Sequence, residues 1–374
     1  MAAPGPPATG PRVLVVIPNW VGDVVMATPV LAALRSHFAT ARITYLLRPY
    51  VLDVVAGGGW HDDVLLWPAG RGQRRERGLP ALVWRLRSVR FDLALLLTNS
   101  FRAALVAWLG GARRRVGYAR DGRGPLLTDR LLPRRESGAF RPVPALDSYV
   151  ALAEHVGAPV RDRTLRLGVT PEQEAAGREL LERHGLRQRA YALLNPGAAF
   201  GAAKCWPPER FAALCDALRA QVGLWPVLCG GPDELPLLRR IAAQARGPVA
   251  VCERPGTTLG SLKVLVRHAR LMVCNDTGPR HYALAFGVPT VTLFGPTHQA
   301  WTDTRCGHEM KLQVPVACGP CQLRTCPLDH RCLTALAVDH ALHAVRTVLA
   351  RPRPAVTDSG PTPATDAGAT RPES

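Results

Sequence analysis

The chain has 374 residues, 47% of them hydrophobic, which is enough to build real cores and excludes a wholly disordered protein. At roughly 150 residues per domain, two domains are expected. Lys and Arg outnumber Asp and Glu by 47 to 29, a net charge of +18. No apolar run approaches the roughly 20 residues that span a bilayer, and the N-terminus lacks the basic-then-apolar pattern of a secretion signal. A cytoplasmic protein is therefore expected.

Residues 1–11 and 352–374 are dominated by small residues and Pro without apolar periodicity, and both are expected as disordered tails. Between them, short β-type runs alternate with helix-type segments, the pattern of a parallel sheet with crossover helices. In the first half, residues 13–17 (VLVVI) predict a fully buried strand, and a turn over 18–23 leads into a helix ending near 38. Strands follow at 43–47, 64–67 and 93–98, with helices over 80–89 and 101–109. The second half repeats the scheme: strands at 191–195, 227–229, 249–252, 271–275 and 290–294, and helices over 207–222, 234–245, 259–267, 278–286 and 336–350. The expected fold class is α/β, with two similar lobes, 12–175 and 176–351, facing across a cleft. Ligands of such sheets bind beyond the carboxyl ends of the strands, so the turns after each strand are where chemistry is expected.

The turn after the first strand holds Gly22 and Asp23 at a helix start. An Asp there caps a helix, or stands at a cleft as a general base. A second turn, 195–207 (NPGAAFGAAKCWP), is a loop of small residues with Lys204, one of only three lysines in the chain. Close backbone approach plus a point positive charge suits a phosphate or diphosphate, although the P-loop pattern is not matched. A third, 274–281 (CNDTGPRH), sets Asp276, Thr277 and Gly278 at a helix N-terminus with His281 in the first turn, another anion-binding arrangement. Residues 71–141 carry 17 Arg against 5 acids, a net +12. That charge is either a solvated face or a surface for a polyanion.

Five stretches in order carry a resemblance: 17–26 (IPNWVGDVVM), 99–105 (NSFRAAL), 196–207 (PGAAFGAAKCWP), 275–281 (NDTGPRH) and 294–297 (FGPT). Together they resemble the lipopolysaccharide heptosyltransferases of glycosyltransferase family 9, and within it the heptosyltransferase II group. The resemblance implies a GT-B fold of two Rossmann-like lobes, with the acceptor on the first and the nucleotide-sugar donor on the second. It implies inverting transfer of L-glycero-D-manno-heptose from ADP-heptose to a heptose on the Kdo–lipid A inner core, at the inner membrane surface and without a catalytic metal or other cofactor. Asp23 matches the general base. Lys204, Asp276, Thr277, Gly278 and His281 match donor contacts, Asp233 takes the place of an acidic residue at the ribose, and Thr257 aligns with a further donor contact. Gly22, Asn99 and Ser100 fall on the acceptor side. Pro279-Arg280 departs from the usual donor-loop sequence.

Ten cysteines without an export signal do not read as a disulfide framework. Cys318, Cys321, Cys326 and Cys332 form a tight set whose thiolates suit a structural zinc, or else stay reduced in an irregular loop. Two other function classes stand beside the first: a GT-B enzyme with another sugar or acceptor, and a basic nucleic-acid binder with a zinc knuckle. The arginine segment lacks interleaved aromatics and any reader motif, so no nucleic-acid partner is expected.

Overall fold

Uninterrupted runs such as Val-Leu-Val-Val have no polar side to show to water, so each must be a strand covered on both faces. The computed structural model, which describes residues 10–68, 73–136, 138–253 and 257–354, places them so. Most of the two expected tails, 1–9 and 355–374, lies outside the described residues. The first unit runs β1 (Arg12–Val16), α1 (Val21–His37), β2 (Arg42–Leu47), α2 (Leu52–Val55), β3 (Asp63–Leu66), α3 (Gln73–Val89), β4 (Leu93–Leu96), α4 (Phe101–Leu109), β5 (Arg114–Tyr118) and β6 (Asp129–Leu131). A small antiparallel pair, β7 (Arg135–Glu136) and β8 (Ala139–Phe140), precedes α5 (Ala145–His155) and α6 (Pro171–Arg183). The second unit runs β9 (Tyr191–Asn195), α7 (Pro208–Ala217), β10 (Trp225–Leu228), α8 (Leu235–Gln244), β11 (Ala250–Val251), α9 (Leu259–His268), β12 (Leu271–Asn275), α10 (Gly278–Ala285), β13 (Thr290–Phe294), β14 (Glu309–Gln313), α11 (Arg331–Thr334) and α12 (Val338–Ala350).

The two sheets have the same order. The first is β3-β2-β1-β4-β5-β6 and the second β11-β10-β9-β12-β13-β14, each with six strands. Every neighbouring pair in both is parallel. This is the doubly wound order, and it reverses between β1 and β4 in one sheet and between β9 and β12 in the other. The turns bearing Asp23, Lys204 and Asp276 therefore all leave switch points.

Several elements were not expected. Strands β5 (RRVGY), β6 and β14 (EMKLQ), and helix α6, carry too many charges to read as apolar runs, and α5 was passed over although it is largely apolar. The division expected at 175/176 falls inside α6, which packs along α9 of the second unit. Helix α1 is buried on almost every side because it packs on α5 of its own unit and on α10 of the other. One apolar cluster accordingly runs through both units, from Val25 and Leu31 to Leu265 and Tyr282.

The junction of the units is polar at one point. Lys263 of α9 is fully buried, and its Nζ donates to the carbonyls of Ala56 and Gly168, both at 2.9 Å, and to Gln173 Oε1 at 3.2 Å. Gln173 Nε2 in turn donates to the Asp53 carbonyl at 3.0 Å. Three neutral oxygens satisfy the ammonium without a contacting carboxylate, and burial pushes it down to about 7, with Asp53 opposing. Beside it the backbones of Gly57 and Gly168 meet so closely that a Cβ on Gly168 would stand 1.9 Å from the Gly57 carbonyl oxygen. No helix among the described residues is long and apolar enough to cross a membrane.

Gly168→Ala should therefore destabilise the protein by about 1–3 kcal/mol, since backbone and not a flexible side chain must yield. A thermal melt checks this, and an unchanged midpoint would contradict the close approach.

Candidate active site

The turns after β1, β9 and β12 converge on a cavity of about 610 Å³. From the first unit Gly22 and Asp23 line it, and from the second Lys204, Asp233, Thr257, Asp276, Thr277, Gly278 and His281. Asn99 and Ser100 do not. Asn99 instead accepts from the buried Arg123 at 3.0 Å, a contact that fixes the turn after β4.

Asp276 organises the second side. Its Oδ2 accepts from Lys204 Nζ at 2.5 Å and from Thr297 Oγ1 at 2.9 Å. Its Oδ1 accepts from Thr302 Oγ1 at 3.2 Å and from Arg280 Nη1 at 3.3 Å. Burial alone would push this carboxyl up, but the charges of Lys204 and Arg280 and the hydrogen bonds from Lys204 and Thr297 outweigh it, so Asp276 lies below its ordinary range. It is a fixed anion whose oxygens are already occupied by the protein. Arg280, the departure noted in the donor loop, is fully buried and continues the network to Glu309 through Nε–Oε1 at 2.5 Å and Nη2–Oε2 at 3.0 Å. Thr292 donates to the same Glu309 at 2.6 Å.

Helix ends face the cavity from both sides. Neither α1, entered from Trp20, nor α10, entered from Thr277, has a side-chain cap at its N-terminus. Two helices elsewhere, α6 and α9, do carry capping boxes. First-turn N–H groups without a cap are open to an anionic ligand, and the helix dipole favours one there. The two uncapped ends nearly touch. A Cβ on Gly22 would lie 2.7 Å from His281 Cδ2, and one on Gly278 would lie 2.9 Å from Val21 Cβ. These glycines thus let the two units meet. Burial, with Arg280 adding repulsion, holds His281 well below its ordinary pKa, so its imidazole is neutral at physiological pH. Its Nδ1 and Thr257 Oγ1 are buried without partners among the described residues.

Asp23 has the opposite environment. Burial pushes its carboxyl up to about 6; Asp276 adds to the rise, while a Tyr149 hydrogen bond and Lys204 oppose it. Tyr149, on α5, is buried. The sequence pattern gave no sign of it, since it lies 126 positions downstream in a helix that was not expected. Glu234 was also missed in favour of its neighbour Asp233. Asp233 is exposed, whereas Glu234 is half-buried and accepts from the Gly231 N–H at 2.7 Å. A Cβ on Gly197 would stand 1.9 Å from Glu234 Oε1, so this carboxylate fills the crevice beside the lysine loop. Burial raises its pKa.

The cysteine segment braces that loop. The Ala203 N–H donates to the Arg324 carbonyl at 3.0 Å, and the Ala203 carbonyl contacts His330 Nε2 at 2.7 Å. Phe200 lies under both Lys204 Nζ, at 4.8 Å, and the Arg324 guanidinium, at 5.5 Å. Cys318, Cys321, Cys326 and Cys332 line one small pocket with His330. Burial and then the neighbouring thiols push Cys332 up. Among the described residues, however, no three His, Cys, Asp or Glu side chains are arranged to hold a metal ion. The zinc expected at this set has no ready ligand geometry here.

Comparison with known proteins gives the family and the fold. The model of glycosyltransferase family 9 (heptosyltransferase) matches residues 80–331. A lipopolysaccharide heptosyltransferase 2 of Escherichia coli K12 is 27% identical over 299 residues, 78% of this chain and 84% of that one. A lipooligosaccharide heptosyltransferase 2 of Campylobacter jejuni is 24% identical over 345 residues, 90% of this chain and 98% of that one. The fold matches the crystal structure of a Veillonella parvula family 9 glycosyl transferase, with TM-score 0.77, 23% identity, and 91% and 97% of the two chains covered. It also matches E. coli ADP-heptose lps heptosyltransferase II, with TM-score 0.73, 23% identity, and 90% and 98% covered.

The Asp23 carboxyl is expected to titrate near 6. Tyr149→Phe removes the hydrogen bond that lowers it, so the titration should move to higher pH. Carboxyl NMR of the two proteins checks the sign, and a downward shift or none would remove Tyr149 as its partner.

Proposed function

The chain belongs to glycosyltransferase family 9, the heptosyltransferase family, and from that premise we propose that it transfers L-glycero-D-manno-heptose from ADP-heptose to the heptose of a Kdo–lipid A inner core. The observation that carries this reading is the meeting, in one cavity, of a poised carboxylate from the first unit with Lys204 and the uncapped N-terminus of α10 from the second.

The step balances with these groups alone. An acceptor hydroxyl gives its proton to the Asp23 carboxylate as its oxygen attacks the anomeric carbon from the face opposite ADP. The bond from that carbon to the β-phosphate oxygen breaks, and the electron pair leaves on the diphosphate. In this reading Lys204 and the open N–H groups of α10 stabilise that charge. The protonated Asp23 then releases its proton to solvent. Raised burial makes Asp23 a stronger base than an ordinary carboxylate, yet leaves it ionised above about pH 6. Asp276 acts indirectly in this scheme, by holding Lys204. Glu234, with Asp233 beside it, supplies an acidic edge suited to ribose hydroxyls, and Thr257 offers its unpartnered hydroxyl. Closure of the cavity around the donor excludes water and so limits hydrolysis.

A GT-B enzyme with another nucleotide sugar would share most of these features, so the donor must be tested directly. Purified protein with ADP-heptose and truncated core acceptors should give products one heptosyl unit heavier by mass spectrometry; inactivity with ADP-heptose but turnover with another nucleotide sugar would replace the donor. Asp23→Asn should lower turnover about 10²–10⁴-fold while ADP binding persists. Lys204→Ala should weaken ADP binding roughly tenfold or more, as expected for a lost charged contact. Retained turnover in the first variant, or retained affinity in the second, would remove the assigned role.

A further inference from the structure

The arginine-rich region does not act as one field. Arg123 is buried, donating to the carbonyl of Tyr118 at 2.8 Å, and Arg115 donates to the carbonyls of Leu126 and Ala112 at 2.8 and 2.5 Å. Arg114 pairs with Asp129 at 2.9 Å. These guanidiniums serve the fold. Arg85, Arg90 and Arg102 are different: all lie on or next to α3 and α4, and none has an acidic partner within ion-pair distance among the described residues.

The same two helices break the usual amphipathic rule. Helix α4 buries Ala103, Ala104, Val106 and Ala107, and its other side should be polar. Instead Phe101, Leu105 and Trp108 recur there at helical spacing, with Phe101 47% and Trp108 49% exposed. Helix α3 buries Leu82 and Leu86 and shows Trp84 to solvent, 71% exposed. The helices lie side by side. The Leu86 side chain closes on Gly110, where a Cβ would stand 2.7 Å away, and Arg87 Nε donates to the Leu109 carbonyl at 2.6 Å. Trp84 is one turn before that Arg87, and Trp108 adjoins Leu109.

We propose that the α3–α4 face is a docking surface for a bilayer containing anionic lipid. Indoles prefer the headgroup level, where an apolar ring and a polar N–H are both satisfied, and guanidiniums without carboxylate partners beside them complement lipid phosphates. A nucleic-acid groove would not require three outward aromatic and aliphatic side chains on one helix. The placement has a consequence. Helix α4 begins at the carboxyl end of β4, and β4 pairs with β1, whose carboxyl end leads to Asp23. The first turn of α4, with Phe101, therefore stands at the sheet edge that bears the base, and a lipid-anchored acceptor would approach along that side. This purpose rests on the proposed acceptor, but the docking itself does not.

The test is co-sedimentation of the full chain with vesicles, without donor or acceptor. Vesicles containing phosphatidylglycerol should bind at least about tenfold more protein than phosphatidylcholine alone, and salt should weaken the binding. The double variant Trp84→Ser, Trp108→Ser should lose at least about tenfold in vesicle binding, with its thermal midpoint and its transfer to a lipid-free truncated acceptor unchanged. Vesicle binding equal in wild type and variant would overturn the proposal. So would absence of vesicle binding, retention on DNA but not on vesicles, or a wild-type dimer that the variant converts to a monomer. Failure of transfer with intact vesicle binding would count against the proposed reaction and leave the surface standing.

Discussion

The site depends on one buried carboxylate being held by four donors at once. Asp276 has Lys204 and Thr297 on one oxygen and Thr302 and Arg280 on the other. Such a group is costly to bury alone, and stripping any charged donor would leave an unpaired charge in a dry environment. The network thereby fixes the lysine in a single place. Arg280 carries it to Glu309 on β14, the outermost strand of the second sheet. The position of the lysine is thus set by a chain of charges crossing from β12 to β14, and a charged edge strand is the natural end for it.

The doubled sheet order supplies the other constraint. Each sheet has one switch point, and two sheets set face to face bring two switch points to one cavity. Close packing of α1 on α10 requires Gly22 and Gly278, which appear in the sequence as ligand-type glycines. Their role in the structure is steric: they bring two uncapped helix ends together and so concentrate positive potential. At the far side of the junction, Lys263 ties the units together by hydrogen bonds to the backbone carbonyls of Ala56 and Gly168.

Much of this was legible in the sequence, for a physical reason. Strands buried on both faces, such as β1, β9, β12 and β13, must be apolar throughout, so their bounds and their terminal turns read directly. Five donor-side residues read from those turns, Lys204, Asp276, Thr277, Gly278 and His281, line the cavity together with Asp23. The edges were not legible. Strand β5 uses its arginines for ion pairs and carbonyls, and β14 uses Glu309 as a buried partner; neither pattern resembles a strand in isolation. Tyr149 escaped because its partnership with Asp23 is tertiary. Glu234 was passed over beside Asp233, although both line the cavity, because adjacency in sequence does not tell which of two neighbours is the more buried. The partnership of Asn99 with the buried Arg123 was likewise not legible, because it too is tertiary.

The two aspartates of the cavity show how one site assigns opposite tasks to the same side chain. Asp276 gains four donors, two of them charged, and its pKa falls; it favours the folded state above the ordinary carboxylate pKa and loses that contribution as acid protonates it. Asp23 gains a tyrosine hydroxyl but faces desolvation and the Asp276 charge, and its pKa rises to about 6. Between the ordinary value of 3.8 and about 6, the folded form binds more protons at Asp23 than the unfolded form, so ionising this group on going to higher pH opposes folding. A side chain kept for stability alone would not be held in that state. The Asp276 charge adds to that destabilisation, and a destabilised carboxylate is the one that takes a proton readily.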